Sequence, residues 1–383
     1  MKRMFSRALA GAGLLTLALA APSFAQDTIK IGVIADKTGT AKFYSEPVMK
    51  GIELAVKEIN GQGGVLGKKI ELLVEDDQNL PELAATKARK LIDDGAVFII
   101  GNSSSTTTQQ SQNVTMAAKM PHMTPTNSAD TLTTTLNNPY FWQTAPLGAT
   151  QIQTLMAFAK AKAYKRVALI SDNTDLSQLI ARFFKQGLVA NGAEVVVEEV
   201  MQRGATTILP NMQKVRAANP EAIFTAAILG AENVLFFKAY HQLGMKQPIL
   251  GSYNLSIPGY MTTAKDLMEG VAFVDAYDSD KPEARAFIAK YQKEYGVVPF
   301  SLPAYGYDGV FLIADVIKRA GSTDKEKIRA AMQATTNFAS VTGAKGCKIG
   351  FKDGKRTGFD PNCAVVRVVE NNTHGRVVHV GVK

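Results

Sequence analysis

Hydroxyl side chains are concentrated at one point of this sequence, where three serines and three threonines follow one another. The run from Ser103 to Thr108 comes directly after the apolar residues Val97 to Ile100 and precedes a helical pattern. Backbone N–H groups at the start of a helix attract anions, and small hydroxyl residues let a ligand oxygen approach closely. Helix capping needs only one or two of these side chains. We therefore predict that Ser103, Ser104 and Ser105 contact a ligand carboxylate.

A second polar stretch, Thr124 to Ser128, follows the next short extended segment. Ligands of open α/β sheets bind beyond the carboxyl ends of the strands. Two polar stretches at neighbouring strand ends would form one polar wall, so Thr126, Asn127 and Ser128 join the candidate ligand-binding residues.

The sequence shows no arrangement of residues typical of a catalytic or metal centre. Asp76 and Asp77 could act as a paired acid and base, but a solvated loop or a helix-capping role is the commoner use of such a pair. No G-x-S-x-G motif occurs. The four histidines are scattered, and two cysteines are too few for a four-cysteine cage. We expect no enzymatic activity, no metal ion and no cofactor.

The glycine cluster between Gly61 and Gly67 does not match a nucleotide-binding motif. Leu66 stands where the G-x-G-x-x-G fingerprint needs glycine, and Gln62 stands where a P-loop needs one. The cluster also follows a helical pattern and precedes a strand, which is the reverse of the phosphate-binding order. A turn that ends a helix accounts for it.

The two cysteines, Cys347 and Cys363, flank a stretch rich in glycine, lysine and aspartate. Turn residues at Asp353-Gly354 and Gly358 are typical of a hairpin. In an exported protein this spacing favours a Cys347–Cys363 disulfide. A pair of free thiols is the alternative.

Residues 1–25 have the pattern of a cleaved secretory signal peptide. Lys2, Arg3 and Arg7 precede an apolar stretch from Ala8 to Ala20, and Ser23-Phe24-Ala25 provides small residues before a cut at Gln26. The apolar stretch is shorter than the roughly 20 residues that span a bilayer. The mature protein is therefore expected to be exported, and to be periplasmic in a host with two membranes.

Length and composition exclude several classes of protein. The chain has 383 residues, of which 46% are hydrophobic and 20% charged, as in ordinary globular proteins of two or three domains. The formal net charge is +9, and it falls to +6 without the three basic residues of the signal peptide. No run of five basic residues occurs, so we expect no binding to nucleic acid.

Strand and helix patterns alternate along the chain, which indicates parallel sheets covered by helices. Ile29 to Ala35 is typical of a buried strand, and apolar residues from Val48 to Ile59 recur at helical spacing. The alternation starts again near residue 166, which predicts a second sheet. Other predicted strands lie at 69–75, 96–100, 194–200, 222–228, 248–251 and 270–276, and other helices at 81–94, 109–119, 177–190, 207–218, 232–243, 283–295, 307–320 and 324–334. Residues 346–383 are predicted to form hairpin strands.

The sequence resembles the periplasmic leucine/isoleucine/valine-binding proteins along essentially all of 28–383. The resemblance is carried by Ile29 to Ile34, Thr38-Gly39-Thr40, Tyr44, Gly51 to Asn60, Gly63-Gly64-Val65, Gly67, Val74 to Asp77, Ile99 to Gly101 with the serine run, Thr124-Pro125, and Ala304-Tyr305 with Tyr307-Asp308.

This resemblance implies the solute-binding component of an ABC importer, with two Rossmann-like lobes, three hinge crossings and a ligand cleft between the lobes. The implied lobes are 26–146 with 278–358, and 147–277 with 359–383. A permease in the inner membrane is the implied partner, and the binding protein itself is expected to be a monomer.

The resemblance also assigns residues to the cleft. It places Ser105, beside Ser103 and Ser104, on the ligand carboxylate, Thr126 and Ser128 on the carboxylate and ammonium, and Tyr44 in the wall of the first lobe. Leu176 and Leu229 fall where such proteins place aromatic rings, and Tyr253 falls where they place an acid.

These departures favour an organic or aromatic acid as the ligand, because a buried ammonium without a carboxylate partner is costly. Leucine, isoleucine or valine remains the alternative. Asp175 or Asp275 would then supply the counter-charge, although either is also typical of an exposed carboxylate at a loop edge. A ligand sensor of the same fold, or an exported hydrolase, are further alternatives.

Overall fold

A computed structural model describes residues 28–101, 103–226, 228 and 231–383, apart from the side chains of Asp175, Leu176 and Lys352. The predicted signal peptide lies outside the described residues. No helix in the described ranges is long and apolar enough to cross a membrane.

The N-terminal part of the chain builds a five-stranded parallel sheet in the order β2-β1-β3-β4-β5. β1 lies in the interior of the sheet and is almost entirely apolar, as its buried position requires. The elements of this part are β1 (Ile29–Ala35), α1 (Lys42–Gly61), β2 (Ile70–Asp76), α2 (Pro81–Asp93), β3 (Phe98–Gly101), α3 (Ser105–Ala117), β4 (His122–Thr124), α4 (Thr131–Thr134) and β5 (Phe141–Gln143).

The middle of the chain repeats the same alternation in a second sheet. Its strands run in the spatial order β10-β9-β8-β6-β7, and all of them are parallel. Its elements are α5 (Gly148–Ala161), β6 (Arg166–Asp172), α6 (Asp175–Ala190), β7 (Glu194–Met201), α7 (Leu209–Ala218), β8 (Ala222–Thr225), α8 (Ala231–Gln242), β9 (Ile249–Gly251), α9 (Pro258–Ala264) and β10 (Ala272–Asp275).

The C-terminal part returns to the first sheet and then ends on the second. Three helices, α10 (Pro282–Tyr295), α11 (Ser301–Ala320) and α12 (Lys325–Gln333), supply apolar residues to the core beneath the first sheet. A small ribbon of β11 (Phe338–Ala339) and β12 (Lys348–Ile349) follows. The hairpin of β13 (Val365–Glu370) and β14 (Thr373–Val380) then pairs antiparallel with β10, so the second sheet is mixed rather than wholly parallel.

Three chain segments therefore cross between the two sheets, at 144–147, 276–281 and 350–364. The third is hydrogen-bonded to the end of β5, just before the first crossing, because Gln143 donates its N–H to Arg356 O at 2.9 Å and accepts from Gly358 N at 2.8 Å. The second is held by Gly343 N, which donates to Ala276 O at 2.7 Å. The predicted α/β fold of two lobes joined by three crossings is confirmed.

Several predicted boundaries differ from the structure. α3 begins at Ser105 rather than 109, and α11 begins at Ser301 rather than 307. The predicted Cys347–Cys363 disulfide is present, with its Cα atoms 5.8 Å apart. The stretch it encloses is not a hairpin, because β12 pairs with β11 instead of with a strand of its own loop.

Helices α1 and α11 approach each other through glycines. A Cβ at Gly51 would lie 1.9 Å from the carbonyl oxygen of Pro303, and one at Gly306 would lie 2.2 Å from that of Val48. Backbone therefore meets backbone along this contact, which fixes the first turn of α11 against α1.

Gly51→Ala is expected to destabilise the protein by about 1–3 kcal/mol, because a methyl group has no room against the Pro303 carbonyl. Gly61→Ala is the matched control at the other end of α1, where nothing lies within 4 Å. The control should stabilise by up to about 1 kcal/mol through helix propensity. Thermal unfolding midpoints that shift equally for both variants would contradict this account of the contact.

The buried His122 makes the stability sensitive to acid. Its ring lies fully buried beside the Thr115 hydroxyl, 3.3 Å from Nδ1, and burial lowers the pKa of His122 from 6.5 to about 3. Below pH 6.5 the unfolded chain binds a proton that the folded chain refuses, so stability falls as the pH drops toward 3. For this residue the loss between pH 7 and pH 4 should be about 2–4 kcal/mol.

His122→Gln should therefore flatten the dependence of the unfolding free energy on pH in this window. Part of the slope should remain, because burial also lowers the pKa of His374, to about 4. Denaturant unfolding at pH 7, 5.5 and 4 measures both slopes, and parallel curves for variant and wild type would contradict the prediction.

Candidate functional site

The turn between β1 and α1 is shaped by Asp36 at the carboxyl end of β1. Its buried carboxylate accepts hydrogen bonds from Gly39 N at 2.5 Å and Ala41 N at 2.6 Å. The helix α1 begins directly after this turn. Tyr44 therefore lies in the first turn of α1, beside the edge of the sheet.

The hydroxyls of the serine run largely serve the fold. Ser103 Oγ accepts from Asp36 N at 3.1 Å, which joins the ends of β3 and β1. Ser104 is the N-cap of α3, and its hydroxyl accepts from Thr107 N at 3.4 Å. At least one of these residues therefore caps the helix, which is the ordinary structural role of serine at this position.

The second polar stretch is tied to the first by Asn127. Its Nδ2 donates to Thr108 Oγ1 at 2.6 Å and to Thr124 Oγ1 at 3.1 Å, which joins the loop after β4 to the first turn of α3. The two polar stretches therefore lie side by side at one edge of the sheet, as predicted, and brace each other.

A solvent-connected cavity of about 370 Å³ lies between the two lobes. Its wall combines residues of the first lobe, of the second lobe and of the crossings: Tyr44, Thr126, Ser128, Ala145, Pro146, Gln151, Tyr253, Asp275, Ala276, Ser301, Leu302 and Tyr305. Pockets for small ligands typically carry a few polar groups among apolar ones, as this wall does.

A second cavity of about 300 Å³ adjoins the first and shares Tyr44 and Thr126 with it. It lies between α1 and the ends of β1 and β3, and most of its wall is apolar. Gly101 is required here, since its φ is +145° and a Cβ would lie 2.1 Å from Ile34 O.

Four predicted binding residues line the larger cavity, namely Tyr44, Thr126, Ser128 and Tyr253. Ser103 lines the adjoining cavity, whereas Ser104, Ser105 and Asn127 are absent from the walls of both. The side chain of Leu176 and the residue Leu229 lie outside the described part of the chain. Ligand contact by all ten of these residues stays a prediction.

Sequence reasoning did not assign Ser301, Tyr305 or Gln151 to the site. Ser301 and Tyr305 lie in the first turns of α11, which the sequence prediction began too late. The missed signal was Pro303, since proline is common in the first turn of a helix. No signal along the chain points to Gln151, which reaches the cavity from α5.

The aspartates set aside as a possible catalytic pair are structural. Asp76 accepts from the Thr38 hydroxyl at 2.6 Å, from Lys37 N at 2.9 Å and from Gln78 N at 3.0 Å. Despite partial burial, these bonds hold the pKa of Asp76 below its usual value, the Thr38 hydroxyl most of all. Asp77 Oδ1 accepts from Asn79 N at 3.0 Å. Both carboxylates shape the turn after β2.

Three tyrosines from different elements meet in the larger cavity. Burial raises the pKa of Tyr44, Tyr253 and Tyr305, and Tyr44 is raised further by its hydroxyl neighbours Tyr253 and Tyr305. Their phenols therefore stay neutral at physiological pH. They offer hydrogen bonds and apolar ring surface to a ligand, but no charge.

Asp275 contributes a carboxyl group to this wall. It is only 4% exposed, which contradicts the expectation of an exposed carboxylate at a loop edge. Burial raises the pKa of Asp275 to about 6, although the Arg367 guanidinium, a hydrogen bond from Ala276 N and the Ser301 hydroxyl act in the opposite direction. At neutral pH this carboxyl group is mostly ionised.

A family model described as "Periplasmic binding protein" matches residues 28–372. The chain belongs to this family. A curated relative in Pseudomonas aeruginosa, named as a leucine-, isoleucine-, valine-, threonine- and alanine-binding protein, is 28% identical over 90% of this chain and 91% of its own length.

Solved structures of family members show the same fold. A leucine-binding protein from Thermotoga maritima has a TM-score of 0.75 at 26% identity, over 92% of this chain and 99% of that chain. A solute-binding protein of an ABC transporter from Rhodopseudomonas palustris has a TM-score of 0.76 at 22% identity, over 92% and 98%. The resemblance noted from sequence is confirmed at the level of the family.

Thr126 offers the most direct test of the first-lobe wall, since it lines both cavities and is 7% exposed. Thr126→Val keeps the shape and removes the hydroxyl. If the hydroxyl donates to a ligand carboxylate, affinity should fall about 10- to 100-fold. Calorimetric titration with the tightest binder among leucine, benzoate and hydroxybenzoate measures the effect.

Ser105→Ala is the matched comparison, because it removes a hydroxyl at the start of α3 and keeps the backbone N–H. We expect a smaller loss than for Thr126→Val. An equal or larger loss would place the carboxylate over the start of α3, and unchanged affinity in Thr126→Val would remove the threonine from the site.

Proposed function

We propose that this protein is the periplasmic solute-binding component of an ABC importer. It captures a small ligand that bears a carboxylate, closes its two lobes on it and delivers it to the permease in the inner membrane. The observation that carries the proposal is the cavity between the lobes, whose wall combines Thr126 and Ser128 of one lobe with Tyr253 and Asp275 of the other. A ligand held by both walls would favour the closed state, as in other hinged binding proteins.

An organic or aromatic acid is the proposed class of ligand. The hydroxyls of Thr126 and Ser128 are suited to a carboxylate, and the three tyrosines and Leu302 supply ring and aliphatic surface. The relative from R. palustris was solved with 3,4-dihydroxybenzoic acid, which shows that this fold accommodates such a ligand.

A branched-chain amino acid is the second candidate, and two observations favour it. The relatives from P. aeruginosa and T. maritima are named for leucine. Asp275 also brings a carboxylate into the wall, next to the Tyr253 that replaces the expected acid. The organic acid is preferred because Arg367 already stands 3.8 Å from Asp275 and balances much of its charge.

A thermal-shift panel separates the two candidates. We expect benzoates or branched aliphatic acids to raise the melting temperature more than leucine, isoleucine or valine do. A ligand at 100 times its dissociation constant stabilises the folded state by about 2.7 kcal/mol, which is readily measured. The largest shift with a branched-chain amino acid would reverse the preference, and no shift with any carboxylate would contradict the proposed ligand chemistry.

Small-angle scattering with the ligand that binds most tightly tests whether the two lobes close. Closure should reduce the radius of gyration, and mass spectrometry should recover the ligand unchanged. An unchanged scattering curve would contradict closure, and chemical turnover would favour an exported enzyme.

A further inference from the structure

Asp275 occupies a position in the site that is not explained by the fold alone. It is the last residue of β10, at the carboxyl end of the strand where the second crossing begins. The side chain is nine-tenths or more buried and still contributes to the wall of the cavity between the lobes. A buried carboxylate is costly unless its oxygens are hydrogen-bonded.

Among the described residues, the two carboxylate oxygens of Asp275 differ in their hydrogen bonding. Oδ1 accepts from Ala276 N at 2.8 Å. Within the described part of the chain, no donor lies at hydrogen-bonding distance from Oδ2. The Ser301 hydroxyl, which lines the same cavity, is near enough to help lower the pKa of the carboxyl group. The Nη1 atom of Arg367 lies 3.8 Å from Oδ2, which balances charge but exceeds hydrogen-bonding distance.

Arg367 is held at this distance by hydrogen bonds to other groups. Nη1 donates to Tyr277 O at 3.1 Å, Nη2 donates to Ser279 Oγ at 2.9 Å and to Gly375 O at 2.8 Å, and Nε donates to Gly375 O at 3.1 Å. The guanidinium is thus fixed by main-chain carbonyls, and the free oxygen of Asp275 is left for another donor.

We propose that Asp275 is a specificity-determining residue whose free oxygen accepts a hydrogen bond from a hydroxyl group of the ligand. The ligand would then be a hydroxylated organic acid, with its carboxylate at Thr126 and Ser128 and its hydroxyl at Asp275. This inference rests on the proposed function, since it names the ligand class of the same cavity.

A hydroxyl suits this oxygen better than an ammonium does. A cation bonded to Asp275 would stand close to the buried Arg367, whose positive charge cannot retreat from it. Like charges in a poorly solvated site repel strongly. A neutral hydroxyl satisfies the oxygen without adding charge, and hydrogen bonds to an ionised acceptor are among the stronger ones.

Two sets of matched acids test the proposal on the wild-type protein. The first set is benzoate with its 2-, 3- and 4-hydroxy isomers. The second is 4-methylpentanoate, 2-hydroxy-4-methylpentanoate and leucine, which differ only in carrying hydrogen, hydroxyl or ammonium at one carbon. In at least one set, a hydroxylated acid should bind about 10- to 100-fold more tightly than its parent.

Two variants assign that preference to Asp275. Asp275→Asn should shrink the ratio between hydroxylated and parent acid to a few-fold, because the acceptor becomes neutral. Asp278→Asn is the matched control, since Asp278 is another buried carboxylate on the second crossing that is absent from the cavity wall, and it should leave the ratio unchanged.

The outcomes separate failure of this inference from failure of the proposed function. Parent acids that bind the wild type as tightly as every hydroxylated partner would overturn the role of Asp275 and leave acid binding intact, and so would an unchanged ratio in Asp275→Asn. Leucine binding that exceeds 2-hydroxy-4-methylpentanoate and is lost in Asp275→Asn would assign the oxygen to an ammonium instead. Absence of binding by every acid and by leucine would overturn the proposed ligand chemistry itself. Since the wild-type ratios need no variant, poor folding of Asp275→Asn does not prevent the test.

Discussion

The relation between the two lobes depends on one buried guanidinium. Arg367 is fully buried on β13, and it donates to the main chain of the second crossing at Tyr277 and to that of β14 at His374 and Gly375. A buried charge is tolerated only when it is paired and hydrogen-bonded. The second crossing therefore cannot leave this sheet at another angle without leaving the charge of Arg367 unpaired, and Asp275 is the residue just before this crossing.

The first lobe builds its half of the site mainly from backbone geometry. Close approach of α1 and α11 at Gly51 and Gly306 brings the first turns of both helices to the same edge of the sheet. Ser103, Thr108 and Asn127 join neighbouring loops, and Ser104 caps α3. Such a wall is rigid before a ligand arrives, which limits the entropy lost on binding.

Much of this could be predicted from the sequence because it depends on local patterns. The apolar run at Ile29 to Ala35 and the helical spacing after Val48 gave β1 and α1 nearly as observed, and the polar stretches at Ser103 and Thr126 were correctly placed at one edge. The disulfide followed from two cysteines in a chain that begins with the pattern of a signal peptide.

The rest depends on distances across the fold, which no local pattern encodes. Asp275 is an ordinary aspartate at the end of a strand until Arg367, 92 positions later in the sequence, is packed 3.8 Å from it. Ser301 and Tyr305 reach the cavity only because α11 lies against α1. The loop inside the disulfide was misjudged because the partner of β12 precedes the first cysteine.

The disulfide also determines how much of the third crossing can change its backbone conformation. Cys363 is bonded to Cys347 beside the small ribbon, its carbonyl accepts from Ala344 N at 2.9 Å, and it packs with Ala364 in the core of the first lobe. Almost the whole of 350–364 is therefore fixed to the first lobe. Any rotation of the second lobe at this crossing has to occur in the few backbone dihedral angles around Ala364. In the oxidised chain, the two lobes can rotate at this crossing only about a few bonds. In the reduced chain, a longer and more flexible linker would connect the same two lobes.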